Sequence, residues 1–95
     1  MNLRLVQFNL GTGNEAAAEA LAKKLVPAIR SQSGCQSCSF FADHGTGDYG
    51  LAVLWESRDA ADAAAGVIGP MMMGGVTEAN GTMTSPPRLF DVLEP

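Results

Sequence analysis

The sequence predicts an α+β plait, with four antiparallel strands in one sheet and two helices covering one of its faces. Three observations predict it. Two alternating apolar stretches, one opening the chain and one at its centre, read as strands. Each is followed by apolar residues at helical spacing. A glycine-rich turn, His44-Gly-Thr-Gly-Asp48, joins two strand-like segments in the middle. The 95 residues fit one domain, taken as residues 1–95, which buries roughly 64% of its unfolded surface and so folds with a thin margin.

From Leu3 to Leu10 the chain alternates. Arg4, Val6, Phe8 and Leu10 share one parity and Leu3, Leu5, Gln7 and Asn9 the other, as in a strand with one apolar and one mixed face. Gly11-Thr-Gly-Asn14 ends it. Thr12 with Glu15 three residues on forms a capping-box pattern, and Asn14 is a competing N-cap. A helix from about Glu15 to Arg30 follows, its stripe made by Ala18, Leu21, Ala22, Leu25 and Ile29. Pro27 lacks an amide hydrogen and clashes with the carbonyl of Lys23, which predicts a kink or a fresh last turn.

Cys38 to Asp43 reads as the second strand and Tyr49 to Glu56 as the third, with Tyr49, Leu51, Val53 and Trp55 on one face. Ser57 caps a second helix carrying Ala60, Ala61, Ala64, Val67 and Ile68. Gly66, Gly69 and Pro70 are expected to end or break it, leaving Met71 to Gly75 as a separate short turn. Val76 to Pro87 reads as loop, with room for a short extension at Gly81 to Ser85, and Arg88 to Leu93 as the last strand. The order β-α-β-β-α-β with two right-handed crossovers is the ferredoxin-like plait. One sheet face is left bare, and a second copy of the chain is its expected cover.

Composition narrows the partners. A net charge of −4 and an isoelectric point near 4.6 argue against nucleic acid and anionic membrane, which attract basic patches. Charged residues make up 17% of the chain, below the ~25% usual for soluble domains, as expected if a partner subunit hides part of the surface. No apolar run approaches the ~20 residues needed to span a bilayer. The first residues lack the basic start and cleavage site of a signal peptide, so a cytoplasmic protein is expected.

Several motifs compete for a chemical role. Gly11-x-Gly13-x-x-Ala16 matches a loose dinucleotide fingerprint, but the first strand carries Arg4, Gln7 and Asn9, and a hairpin follows the second strand where a crossover helix should stand. A glycine turn is the simpler reading. Cys35-x-x-Cys38 follows a helix instead of opening one, unlike redox pairs. With one histidine beside it, it falls short of a four-ligand zinc set. His44, the only histidine, sits in a glycine hairpin where exposure is the default. Met71, Met72 and Met73 either fill core gaps or form a soft wall for a flat apolar ligand. Asn9 and Trp55 stand at the ends of strands expected to run antiparallel, which puts them at opposite edges of the sheet; either both face one cavity between sheet and helices, or Asn9 is a turn-entry residue and Trp55 core.

Ser33-Gly34-Cys35, Leu54-Trp55-Glu56-Ser57 with Ala60, and the closing Leu93-Glu94-Pro95 together resemble the antibiotic biosynthesis monooxygenase domains, over nearly the whole chain. The resemblance implies a homodimeric α+β barrel formed by packing two sheets together. It implies oxygenation of a small aromatic, quinol or anthrone-like substrate with no cofactor, the substrate anion reducing O₂ directly. Asn9 would then polarise a substrate oxygen, Trp55 would stack on its ring, and Met71, Met72 and Met73 would line the pocket. The proton would leave through the substrate's own acidity, or to His44 or Glu56. Haem-degrading relatives use an asparagine, a tryptophan and a second-helix histidine; Asp59 to Gly75 contains no histidine. The alternative is a dimeric barrel that binds a small apolar ligand without chemistry.

Overall fold

The computed structural model describes residues 1–94. Its elements are β1 (Asn2–Asn9), α1 (Glu15–Arg30), β2 (Cys35–Asp43), β3 (Asp48–Trp55), α2 (Arg58–Glu78), β4 (Thr82–Met83) and β5 (Arg88–Asp91). The sheet is antiparallel in the order β2-β3-β1-β4, with β5 also pairing β1. β4 lies against Phe8 and Asn9, and β5 against Asn2 to Leu5. The expected four-stranded sheet therefore has its fourth position divided between two short strands. Pro86 and Pro87 lie between them, and prolines have no amide hydrogen to offer the ladder.

Alternation along the central strands builds the core. Val6 and Phe8 of β1 and Tyr49, Leu51, Val53 and Trp55 of β3 are buried against Leu21, Leu25 and Ile29 of α1 and Ala61, Ala64, Ile68 and Met72 of α2. Phe8 pairs directly with Tyr49; their rings stack at 6.3 Å, and Phe40 meets Phe8 edge-on at 5.9 Å. The opposite parity carries Leu3, Leu5, Leu54 and Phe90 on the face without helices, where pairing aligns Phe90, Leu3 and Leu54 in one row. Phe41 lies over Gly50 on that face, where a side chain at position 50 would collide with its ring.

Three local expectations are corrected. α2 is one 21-residue helix that runs through Gly66, Gly69 and Pro70, with the three methionines inside it. Its buried positions Ala61, Ala64, Ile68, Met72 and Val76 recur every three or four residues without a gap. Burial of that stripe outweighs the roughly 3 kcal/mol cost of a proline and about 1 kcal/mol per glycine. Pro70 is solvent-exposed, so water can satisfy the carbonyl its ring displaces. α1, by contrast, spans Glu15–Arg30 as expected, with exposed Pro27 inside it. The Thr12–Glu15 capping box does not form: Asn14 is the N-cap, and its side chain donates back to the Leu10 carbonyl instead of capping the helix. β2 also begins at Cys35, three residues earlier than its apolar pattern suggests. Ser57 caps α2 as expected, its hydroxyl accepting from the Ala60 amide at 3.1 Å.

Among the described residues no helix is long and apolar enough to cross a membrane.

Two glycine substitutions should move stability in opposite directions. Gly66 is helical and exposed, with open space where a Cβ would go; Gly66→Ala is expected to raise the unfolding free energy by about 0.5–1 kcal/mol. Gly47 has φ +76° and packs on the backbone of Gly11, and its carbonyl accepts from the Leu10 amide at 2.9 Å. Gly47→Ala should cost more than about 1 kcal/mol. Urea unfolding of the two variants checks both.

Candidate functional site

The helix-facing parity of β1 and β3 turns Arg4, Val6, Leu51, Val53 and Trp55 toward α2, whose opposing residues include Ala61, Ala64 and Ala65. Alanines are too short to fill the space between a helix and a sheet. A half-open cavity of ≈ 150 Å³ is left there, bordered also by Ile29, Ile68 and Met72. A largely apolar space of this size can accept a single aromatic ring.

Trp55 is 3% exposed. Its indole nitrogen Nε1 is the one buried side-chain polar atom without a hydrogen-bond partner among the described residues. An unsatisfied buried donor costs about 1–3 kcal/mol, a cost that an acceptor on a bound ligand would remove. Met72 and Pro87 border both the cavity and an adjoining groove of ≈ 470 Å³. Met73, Met83 and Pro86 complete the groove's apolar wall. Met72 lines both spaces and Met73 the groove, whereas Met71 lines neither and packs against the core.

Asn9 and Trp55 are not brought together. Trp55 pairs with Asn2, seven residues from Asn9 along β1, a separation of about 23 Å at the rise of a strand. The two side chains also project from opposite faces, because their parities differ. Asn9 organises the far end of the sheet. Its Nδ2 donates to the Thr46 carbonyl at 3.1 Å and to Asp48 Oδ1 at 2.9 Å, and its Oδ1 accepts from the Gly11 amide at 2.8 Å. His44 belongs to that same end. Its Nδ1 is 3.3 Å from the Tyr49 hydroxyl and 3.9 Å from Glu15, beside an open cleft of ≈ 240 Å³. Glu56 is exposed and does not line the Trp55 cavity.

Two residues near Trp55 had no assigned role in the sequence. Asn2 is buried and ties β1 to β5, its Nδ2 donating to Asp91 Oδ1 at 2.9 Å. Arg4 lines the cavity itself, with its guanidinium 3.3 Å from Asp62 Oδ1 of α2. A signal for Arg4 was present: it is the one charged residue on an otherwise apolar parity. Cys35 and Cys38 are free thiols on β2. Burial pushes both up from the ordinary thiol value of 9.0, against the pull of Arg30.

The chain resembles several solved structures along its length. One is a Deinococcus radiodurans protein proposed to be an antibiotic biosynthesis monooxygenase, at TM-score 0.79 and 16% identity over 100% of this chain and 95% of that one. A second is SnoaB of Streptomyces nogalater, a cofactor-independent oxygenase, at TM-score 0.75 and 16% identity over 99% and 94%. A third is a Bordetella bronchiseptica protein, also proposed to be an antibiotic biosynthesis monooxygenase, at TM-score 0.67 and 21% identity over 97% of each chain. The fold is that of the antibiotic biosynthesis monooxygenases. Identities at this level carry the architecture and leave the reaction to be argued from this chain's own residues. The sequence matches no family model and no curated protein. Within the monooxygenase fold, the candidate site of this chain is the Trp55 cavity.

The thiols give a check on the pH behaviour of the fold. A folded pKa above the unfolded value stabilises fully below pH 9.0, and that contribution is lost as pH rises through the higher folded value. Iodoacetamide at pH 8 is expected to label Cys35 before buried Cys38, both more slowly than free cysteine. Mass spectrometry of the labelled peptides reads the order.

Proposed function

We propose that this protein is a cofactor-independent monooxygenase acting, as a homodimer, on a small aromatic, quinol or anthrone-like substrate. The observation that carries the reading is the apolar cavity beside a buried indole whose N–H lacks an acceptor. One substrate ring fills the cavity and its oxygen accepts from Trp55 Nε1. Further rings extend past Met72 onto the groove formed with Met73 and Met83, whose flexible thioethers adapt to a flat apolar surface.

For an anthrone-like substrate the chemistry balances with O₂ alone. The bound substrate loses a proton to give an electron-rich anion, which passes one electron to O₂. The two radicals combine in a carbon–oxygen bond, and the resulting peroxide breaks at its O–O bond. One oxygen atom remains as a new carbonyl and the other leaves as water, so a CH₂ group becomes C=O. The protein holds the ring in place and keeps bulk water from the anion. Trp55 also offers a fixed donor to the oxygen that gains charge.

A second reading is a barrel that binds a small apolar ligand without reaction. It is favoured by one observation: among the described residues no carboxylate or imidazole lines the cavity, so no described side chain there takes the proton. Dimerisation is common to both readings. The bare sheet face carries Leu3, Leu5, Leu54 and Phe90 together with Phe41, 39% exposed, and a second copy of the same face would remove this surface from water.

Oxygen uptake with a panel of hydroquinones and anthrones separates the readings. Uptake that falls at least about 100-fold in a folded Trp55→Ala variant, a loss on the scale of one oxyanion donor, supports the oxygenase. A panel that binds without uptake supports the binder. Sedimentation is expected to give a dimer at micromolar concentration and a monomer for Leu54→Glu, which would set like charges across the buried seam.

A further inference from the structure

We infer that Arg4 makes the Trp55 cavity selective for the ionised form of a phenol-like ligand, and that Asp62 sets how strong the selection is; the inference rests on the ligand-site reading of this cavity. Two polar side chains line the cavity among the described residues, Arg4 and Trp55. Both can only donate hydrogen bonds. A neutral phenol entering this space finds donors for its oxygen and no side-chain acceptor for its own proton. A phenolate has no proton to place, accepts from both groups and gains the guanidinium's charge.

The geometry lets both groups reach one oxygen. Trp55 pairs with Asn2 and Arg4 with Val53 on the same sheet face, so Arg4 and Trp55 are diagonal neighbours, about 7–8 Å apart at the backbone. Long side chains span that distance. The Arg4 side chain lines the cavity and is 21% exposed, while Asp62, which its guanidinium meets at 3.3 Å, is 61% exposed, so the counter-ion is solvated and offsets the cation only in part. The charged groups around it are few. Asp62 approaches from α2. On the β5 side Asp91 is held by Asn2. Ile29 of α1 and Val53 and Trp55 of β3 complete the surroundings and carry no charge. Arg4 is therefore only partly neutralised, and the missing general base loses its importance. The site draws the proton off the substrate by favouring its anion, and the proton leaves to water as the ligand binds.

The test uses 4-nitrophenol as probe, because its two ionisation states have different absorption. Trp55 is the only tryptophan in the chain, so its fluorescence reports binding at the cavity directly. In the wild-type protein the bound probe should titrate about one pH unit below the free probe, a preference of roughly tenfold for phenolate. Asp62→Asn, on an exposed position, should increase that preference by several-fold. Arg4→Gln, which adds an acceptor and removes the charge, should reduce it to within about twofold of unity while the probe still quenches Trp55. A wild-type preference below about twofold, or one that survives Arg4→Gln or fails to rise in Asp62→Asn, overturns the assignment to Arg4 and Asp62 but leaves the cavity as a ligand site. An unchanged Trp55 emission at every pH overturns the ligand-site reading itself, and this inference with it.

Discussion

The eight-pair antiparallel ladder between β1 and β3, from Asn2 opposite Trp55 to Asn9 opposite Asp48, is the constraint on which the other features depend. Strand side chains alternate, so this register decides which residues meet the helices and which meet solvent. A slip of one residue would exchange the two faces. Phe8 stacked on Tyr49 near the Asn9 end of the ladder makes such a slip costly, because both rings are fully buried. The same register sets Arg4 diagonal to Trp55 and sends Asn9 to the opposite end and the opposite face. Cavity and far-end loop network are thus two consequences of one pairing.

The cavity arises from what α2 lacks. Ala61 and Ala64 face the sheet, with exposed Ala65 at the cavity's edge, where leucines would close the gap, while Ile68 and Met72 further along anchor the helix to the core. A helix with this pattern stands over the sheet without filling the space beneath it. Its continuity through Pro70 is essential: were the chain broken there, the methionines would no longer be held in line with the alanine wall. Stability and site formation are therefore in tension along one helix, since the small residues that open the cavity contribute little burial.

Much of this was legible in the chain, for specific reasons. The glycine hairpin, the strand after it, the Ser57 cap and the stripe of α1 rest on local rules of alternation, capping and helical spacing, and each stands where those rules put it, while β2 starts three residues early. Most of the misjudged features depend on distant contacts, and the failed capping box on competing local ones. Pro70 and the glycines around it break an isolated helix, but here the buried stripe of α2 holds the segment together. Thr12 offers a local capping pattern, yet the turn is held by Asn9 and Asn14, which bond to loop groups instead. Asn9 and Trp55 look equivalent as polar or aromatic strand-end residues. Only the pairing register shows that they cannot share a cavity. Arg4 was visible as an anomaly, but its meaning required knowing that α2 lies above it and leaves room beside it.

The sequence by itself determined the order of elements, the two faces of the central strands and the bare side of the sheet, because alternation, helical spacing and turn residues act over a few positions. Tertiary structure alone decided the unbroken course of α2, the split last strand, the void under the alanines and the neighbours of Trp55. Each of these is set by which distant surfaces pack together, and packing free energy is shared among residues far apart in the chain. The indole N–H without an acceptor belongs to this second group. Nothing in the residues around Trp55 announces it, and only the arrangement of strands and helices closes a donor away from water beside an empty space.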